Sequence, residues 1–174
     1  MMNFTFPNND KLEMKAIKRS EFASEETHCY QANLYLNGKH FATVGNDGNG
    51  GCDHQDPADG FTYADIKNLD ERCQNEMPLY KSSFVPDGMP YDLEMWCGSA
   101  VDDHLMFQDM KKAMRSKVLV TDPERPNKVF ELSFKGVRKI AQIHLDVVAK
   151  KAPTFGILNQ MPVEEAFEIY RTAN

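Results

Sequence analysis

The sequence predicts an α+β fold, with antiparallel β-hairpins packed against several amphipathic helices, and three observations carry that expectation. An Asn-Gly dipeptide separates two alternating apolar segments within His28–Val44. A second pair of β-prone segments flanks a proline-containing stretch at 122–127. Apolar residues recur at helical spacing in 62–77, 91–116, 140–151 and 162–171. Strands therefore come in hairpins instead of alternating with helices, which argues against a parallel, doubly wound sheet.

Taken in order, Met1–Lys11 is polar, contains Pro7, and is expected to be loose, leaving a single domain over 12–174 with a possible subdomain boundary near 85–90. Leu12–Arg19 reads as a strand. In the hairpin that follows, Tyr30, Ala32, Leu34 and Leu36 alternate with Gln31, Asn33 and Tyr35. A two-residue turn at Asn37-Gly38 would set Leu34 opposite Phe41 and Ala32 opposite Thr43. The glycine-dense Gly45–Gly51 should be irregular. Thr62-x-x-Asp65 is a capping box opening a helix with Ile66, Leu69 and Cys73 on one face, ended at Met77-Pro78. Pro86, Gly88 and Pro90 mark a loop. Residues 91–116 read as helical with a break at Gly98-Ser99, where Ser99-x-x-Asp102 can cap a new helix. Lys117–Thr121 and Lys128–Phe134 form the second hairpin. Ile140–Lys151 and a helix starting at Pro162, with Val163, Ala166, Phe167 and Tyr170 on one stripe, complete the chain.

Composition narrows the function classes. A chain of 174 residues can bury about 70% of its unfolded surface, so a core needs neither disulfides nor metal. No apolar run approaches the ~20 residues of a membrane span. Met1–Asp10 lacks the basic and apolar regions of a signal peptide, and with four cysteines this predicts a reducing cytosol. The net charge of −6 is unevenly spread: residues 1–110 carry 8 basic and 19 acidic groups, and residues 111–151 carry 11 basic and 4 acidic. An asymmetry of that size suggests an oriented encounter with a charged partner.

Candidate chemistry centres on Gly45–Asp56, GNDGNGGCDHQD. Its glycine amides suit a phosphate nest, and its carboxylates a hard cation. It is not a P-loop, since Cys52 stands where Lys is needed, and not an EF-hand, since Ala58 stands where the bidentate Glu belongs. Asp47, Cys52, Asp53 and His54 form an alternative metal set for a hydrolase, although no Cys-x-x-Cys supports it. Cys52, His54 and Asp56 alternate, but no nucleophile motif accompanies them, so no catalytic residue and no cofactor is expected. Asp47–Asp109 carries 14 acidic and 3 basic residues, a surface suited to a basic groove on another protein, with Asp47, Asp53, Asp56, Asp102 and Asp103 as contacts. In the other half, Arg115, Lys117, Lys135, Arg138 and Lys139, with Phe130 and Phe134 for stacking, offer a nucleic-acid surface as the alternative.

Four segments together resemble a family of small uncharacterised proteins of bacteriophages, prophages and other mobile elements that carry an NDGxGG motif. They are SEFASEET at 20–27, NDGNGG at 46–51, LEMWCG at 93–98, and ILNQMP at 157–162 with Glu164-Glu165-Ala166. The resemblance spans residues 12 to 171 and implies a bacterial cytosol and an accessory gene, whose products often disable a host factor such as a restriction or CRISPR component. It brings no assigned catalytic residues. The expectation is a non-enzymatic cytoplasmic protein that binds a host protein, possessing a basic groove, through an acidic surface.

Overall fold

The computed structural model describes residues 3–82 and 84–173. Met1 and Met2, the start of the segment expected to be loose, lie outside the described residues. The next residues are ordered into a strand: β1 (Asn3–Thr5) pairs with β2 (Lys11–Arg19), and Phe6 is 1% exposed. Burying that ring, with the Arg72 guanidinium 4.2 Å above it, overcomes the polarity of its neighbours.

The Asn37-Gly38 turn forms as expected, both residues at positive φ, 53° and 75°, a twist that suits a tight hairpin. It joins β3 (Tyr30–Leu36) to β4 (Lys39–Asn46), but the register differs from strict alternation. A bulge beyond the turn leaves Phe41 as an extra residue, so Leu34 faces Ala42 and Ala32 faces Val44. The bulge puts Val44, not Thr43, on the buried face, while Phe41 packs against Phe61 at 4.7 Å. The strand also runs through Gly45 and Asn46, shortening the irregular loop. β5 (His54–Pro57) adds to β4, completing an antiparallel sheet in the order β1-β2-β3-β4-β5.

α1 (Tyr63–Glu76) starts at the capping box: the Asp65 amide donates to Thr62 Oγ1, and the Thr62 amide to Asp65 Oδ2 at 2.8 Å. Ile66, Leu69 and Cys73 are buried, as the periodicity predicts. α2 (Leu93–Ser116) is one continuous helix, without the expected break. Glycine inside a helix costs about 1 kcal/mol. Burial of Leu93, Trp96, Cys97, Ala100 and Val101 along one face exceeds it, and Ser99 accepts a bond from the Tyr91 hydroxyl at 2.6 Å instead of capping.

The chain divides into two compact units, the first ending at His104 and the second beginning at Leu105. The division thus falls inside α2, whereas the loop near 85–90 is closed within the first unit by paired backbone bonds between Tyr80 and Met89. It also coincides with the charge asymmetry: the first unit carries 8 basic and 18 acidic residues, the second 12 and 8.

In the second unit β6 (Val118–Asp122) is flanked by β7 (Arg125–Leu132) and β8 (Gly156–Ile157). The hairpin turn is only Pro123-Glu124, shorter than the expected 122–127, because Asp122 accepts from the Glu124 amide at 3.0 Å and from Arg125 Nε at 2.9 Å. β6 is buried on both faces. Val118 and Val120 pack with Leu145 and Val148 of α3 (Gln142–Lys151), and Leu119 packs with Met110 and with Ala166 and Phe167 of α4 (Val163–Ala173). A 3-10 turn at Leu158–Gln160 carries Asn159, whose side chain accepts from the Leu119 amide at 2.8 Å and donates to the carbonyls of Met114 and Lys117, both at 3.1 Å. No helix among the described residues is long and apolar enough to cross a membrane.

Candidate functional site

The loop after β4 is organised by Asn46, which is only 6% exposed and uses both ends of its amide. Its Oδ1 accepts from the Thr27 hydroxyl at 2.6 Å and the Gly48 amide at 2.9 Å; its Nδ2 donates to the Gly51 carbonyl at 3.1 Å and to Asp53 Oδ1 at 3.0 Å. Gly48 has φ 89°, and a Cβ there would stand 1.9 Å from the Ala23 carbonyl oxygen. Only glycine fits. The Gly48 carbonyl in turn accepts the amides of Glu25, Glu26 and Thr27 at 3.0, 2.9 and 3.3 Å, which folds residues 20–27 over the glycine loop.

Asp53 is held at three points. Its carboxylate accepts from Asn46 and from the Tyr30 hydroxyl, and its amide donates to Glu94 Oε1 at 3.1 Å. Burial above all, with Cys97 and Asp53 nearby, raises the Tyr30 phenol far above its ordinary range, so it remains a neutral donor. Asp92 precedes α2 and caps it, accepting from the Met95 amide at 2.8 Å. Nearly three turns further along, Asp102 Oδ1 lies 2.9 Å from His28 Nε2.

These residues surround a cleft of about 310 Å³. Among the described residues four carboxylates line it, from Asp53, Asp92, Glu94 and Asp102, and no lysine or arginine does. His28 is the one imidazole in that lining among the described residues. An adjoining hollow shares Thr27, His28 and Asp102 with it and adds Glu25, Glu26 and one cation, Arg19. Such a trough favours a cation with several donors, above all a guanidinium or ammonium group. The segments 20–27, 46–51 and 93–98 meet here.

Of the expected partner-binding residues, the structure brings Asp53 and Asp102 into the cleft. Asp47, Asp56 and Asp103 do not line it: Asp47 accepts from the Asn49 amide at 3.2 Å, and Asp56 on β5 accepts from the Tyr63 hydroxyl at 3.2 Å. The alternative metal set Asp47, Cys52, Asp53 and His54 does not converge. No group of three or more His, Cys, Asp or Glu side chains is placed to hold an ion among the described residues. The cause is alternation along the extended chain, in which Cys52 and His54 are exposed while Asp53 turns inward to Tyr30 and Asn46.

Among the basic candidates, Arg115, Lys135, Arg138 and Lys139 are exposed, whereas Lys117 is paired with Glu131. Phe130 and Phe134, offered for stacking, instead pack against the Val118, Val120 and Leu145 cluster. Sequence reasoning missed Asn46, Glu94, Asp92 and His28 as parts of one site. Asp92 had a readable signal, an Asp just before the first apolar residue of a helix. The His28–Asp102 pair, 74 positions apart, had none. No protein-family model matches this chain, and neither a curated protein nor a solved structure matches it.

Proposed function

We propose that this is a non-enzymatic binding protein that seats a lysine or arginine side chain of a partner protein in the acidic cleft. The observation that carries the reading is a lining with four carboxylates and neither lysine nor arginine. The net charge of the first unit, 8 basic against 18 acidic residues, supports electrostatic steering of a basic partner toward it. The resemblance to mobile-element proteins supports a host protein in the bacterial cytoplasm as that partner, with a defence component among the candidates. Binding is favoured over catalysis because His28 engages a carboxylate and no hydroxyl or thiol nucleophile, and the exposed Cys52 is outside the cleft lining.

The test is an NMR titration of the ¹⁵N-labelled protein with an arginine-containing peptide and an acidic control peptide. The expected result is shifts at the amides of Thr27, His28, Gly51 and Gly98, and about tenfold weaker binding of the basic peptide by the double variant Asp102→Asn, Glu94→Gln. Shifts centred on Asp47 and Asp56, or equal affinity in the variant, would refute the assignment.

A further inference from the structure

The second unit carries a surface of opposite sign. Lys112 and Arg115 lie on one face of the last turns of α2, three residues apart. The Ile140 amide donates to the Arg115 carbonyl at 2.8 Å, which brings the 133–141 loop, with Lys135, Arg138 and Lys139, against that helix end. Lys112, Arg115, Lys135, Arg138 and Lys139 are all exposed, and none forms an ion pair among the described residues. Elsewhere in the same unit Lys117 pairs with Glu131, Arg125 with Asp122 and Arg171 with Glu168. Between Glu131 and Asp146 the sequence has no acidic residue. Both flanking acids are engaged, Glu131 by Lys117 and Asp146 by the Gln142 amide at 2.8 Å.

A structural account of these cations falls short. The C-terminal end of a helix carries about half a negative charge, which one of the five would offset. The remaining cations have no ion-pair partner among the described residues. We therefore infer that the end of α2 and the 133–141 loop bind the phosphodiester backbone of a nucleic acid. Phe130 and Phe134 are partly buried against the Val118, Val120 and Leu145 cluster, with Arg125 4.4 Å over the Phe130 ring and His144 against Phe134. Neither therefore offers a free stacking face, and the surface makes no use of bases. It holds phosphates irrespective of sequence, and duplex as readily as single strand. An anionic bilayer is the poorer fit. Residues 133–141 include no large exposed apolar side chain to insert, and the exposed Ile143 and Val147 of α3 have Asp146 between them.

The inference does not use the acidic cleft, so the two stand or fall separately. Its test is fluorescence anisotropy of the full chain with a labelled 20-base-pair duplex of arbitrary sequence, across a salt series. Four to five phosphate contacts predict a loss of affinity of roughly 150- to 500-fold between 50 and 200 mM salt. The double variant Arg138→Ala, Lys139→Ala should bind about tenfold or more weakly and reduce the log–log salt slope by about 2. Lys112→Ala, Arg115→Ala, on a helix that tolerates alanine, should do the same, with circular dichroism verifying the fold of each. The inference is overturned if the duplex does not bind at 50 mM salt or if both folded variants match the parent. Sedimentation with phosphatidylserine vesicles without duplex binding would overturn it too.

Discussion

Replacing Asn46 probes the site and the fold at one atom cluster. Asn46→Ala removes four hydrogen bonds, three to neutral groups and one to the Asp53 carboxylate. At about 0.5–1.5 kcal/mol for each neutral bond and about 1.5–3 for the charged one, the loss is about 3–7 kcal/mol, and water entering the loop brings it toward the lower end. For a chain of 174 residues each kcal/mol corresponds to about 2–4 °C, so the melting temperature should fall by about 10 °C. Asn46→Asp separates the geometry from the chemistry. It is isosteric and retains both acceptor bonds, to Thr27 and Gly48, but it sets a second carboxylate where Nδ2 now stands, 3.0 Å from Asp53 Oδ1. Two like charges at that range raise the folded pKa of the pair above the unfolded value of about 4. The native variant then binds more protons than its unfolded chain, so its stability falls as pH rises. The penalty is therefore full at pH 8 and relieved at pH 4.5. Thermal melts of both variants across that range provide the check. Melting temperatures within about 2 °C of the parent for both variants, or an Asn46→Asp penalty independent of pH, would refute this account of the loop.

Three further outcomes follow from other parts of the fold. Hydrogen bonds from Asn37, then Asn8 and Arg72, hold the Asp10 carboxyl at about 2, below its ordinary 3.8. Its contribution is thus present above pH 3.8 and lost as pH falls through about 2, so the melting advantage of the parent over Asp10→Asn should fade over that window. Asn159→Ala removes three hydrogen bonds that tie the end of α2 to β6 and should cost about 2–3 kcal/mol in urea unfolding; a loss under 0.5 would show that solvent replaces them. Burial pushes the Cys73 thiol up to about 12 and also raises the Cys97 thiol well above its ordinary range, whereas Cys52 is exposed. Brief alkylation of the native protein, read by peptide mass spectrometry, should therefore label Cys52 and spare Cys73 and Cys97 until denaturant is added. Native labelling of the buried pair would contradict their burial.

Where a signal was local, the sequence disclosed the structure. Asn37-Gly38 determines its own turn, and Thr62 with Asp65 determines a helix start, because donors and acceptors lie within three residues of each other. Elements decided by packing were harder to read. Nothing near Phe41 marks it as the bulged residue; the choice of Val44 over Thr43 for the core depends on what covers the sheet. Gly98-Ser99 looks like a helix break until Trp96, Cys97, Ala100 and Val101 are seen to be buried around it. The same division holds at the cleft. Asp53 and Asp102 stand out as carboxylates beside a glycine loop and near a helix start. That they share a cavity depends on residues 20–27 folding over Gly48 and on His28 meeting Asp102 across 74 positions, which no spacing rule encodes. Aromatic residues misled for the reverse reason: Phe130 and Phe134 suit a stacking surface in sequence but serve the core of the second unit.

The most direct test of the central claim is affinity capture from nuclease-treated bacterial lysate, with the parent protein and the Asp102→Asn, Glu94→Gln variant side by side. The acidic cleft predicts a protein partner that the parent retains after nuclease and the variant loses, while Asp47→Asn, outside the cleft, retains it. A nuclease-resistant partner held equally by all three proteins would contradict the claim that the cleft is the binding site.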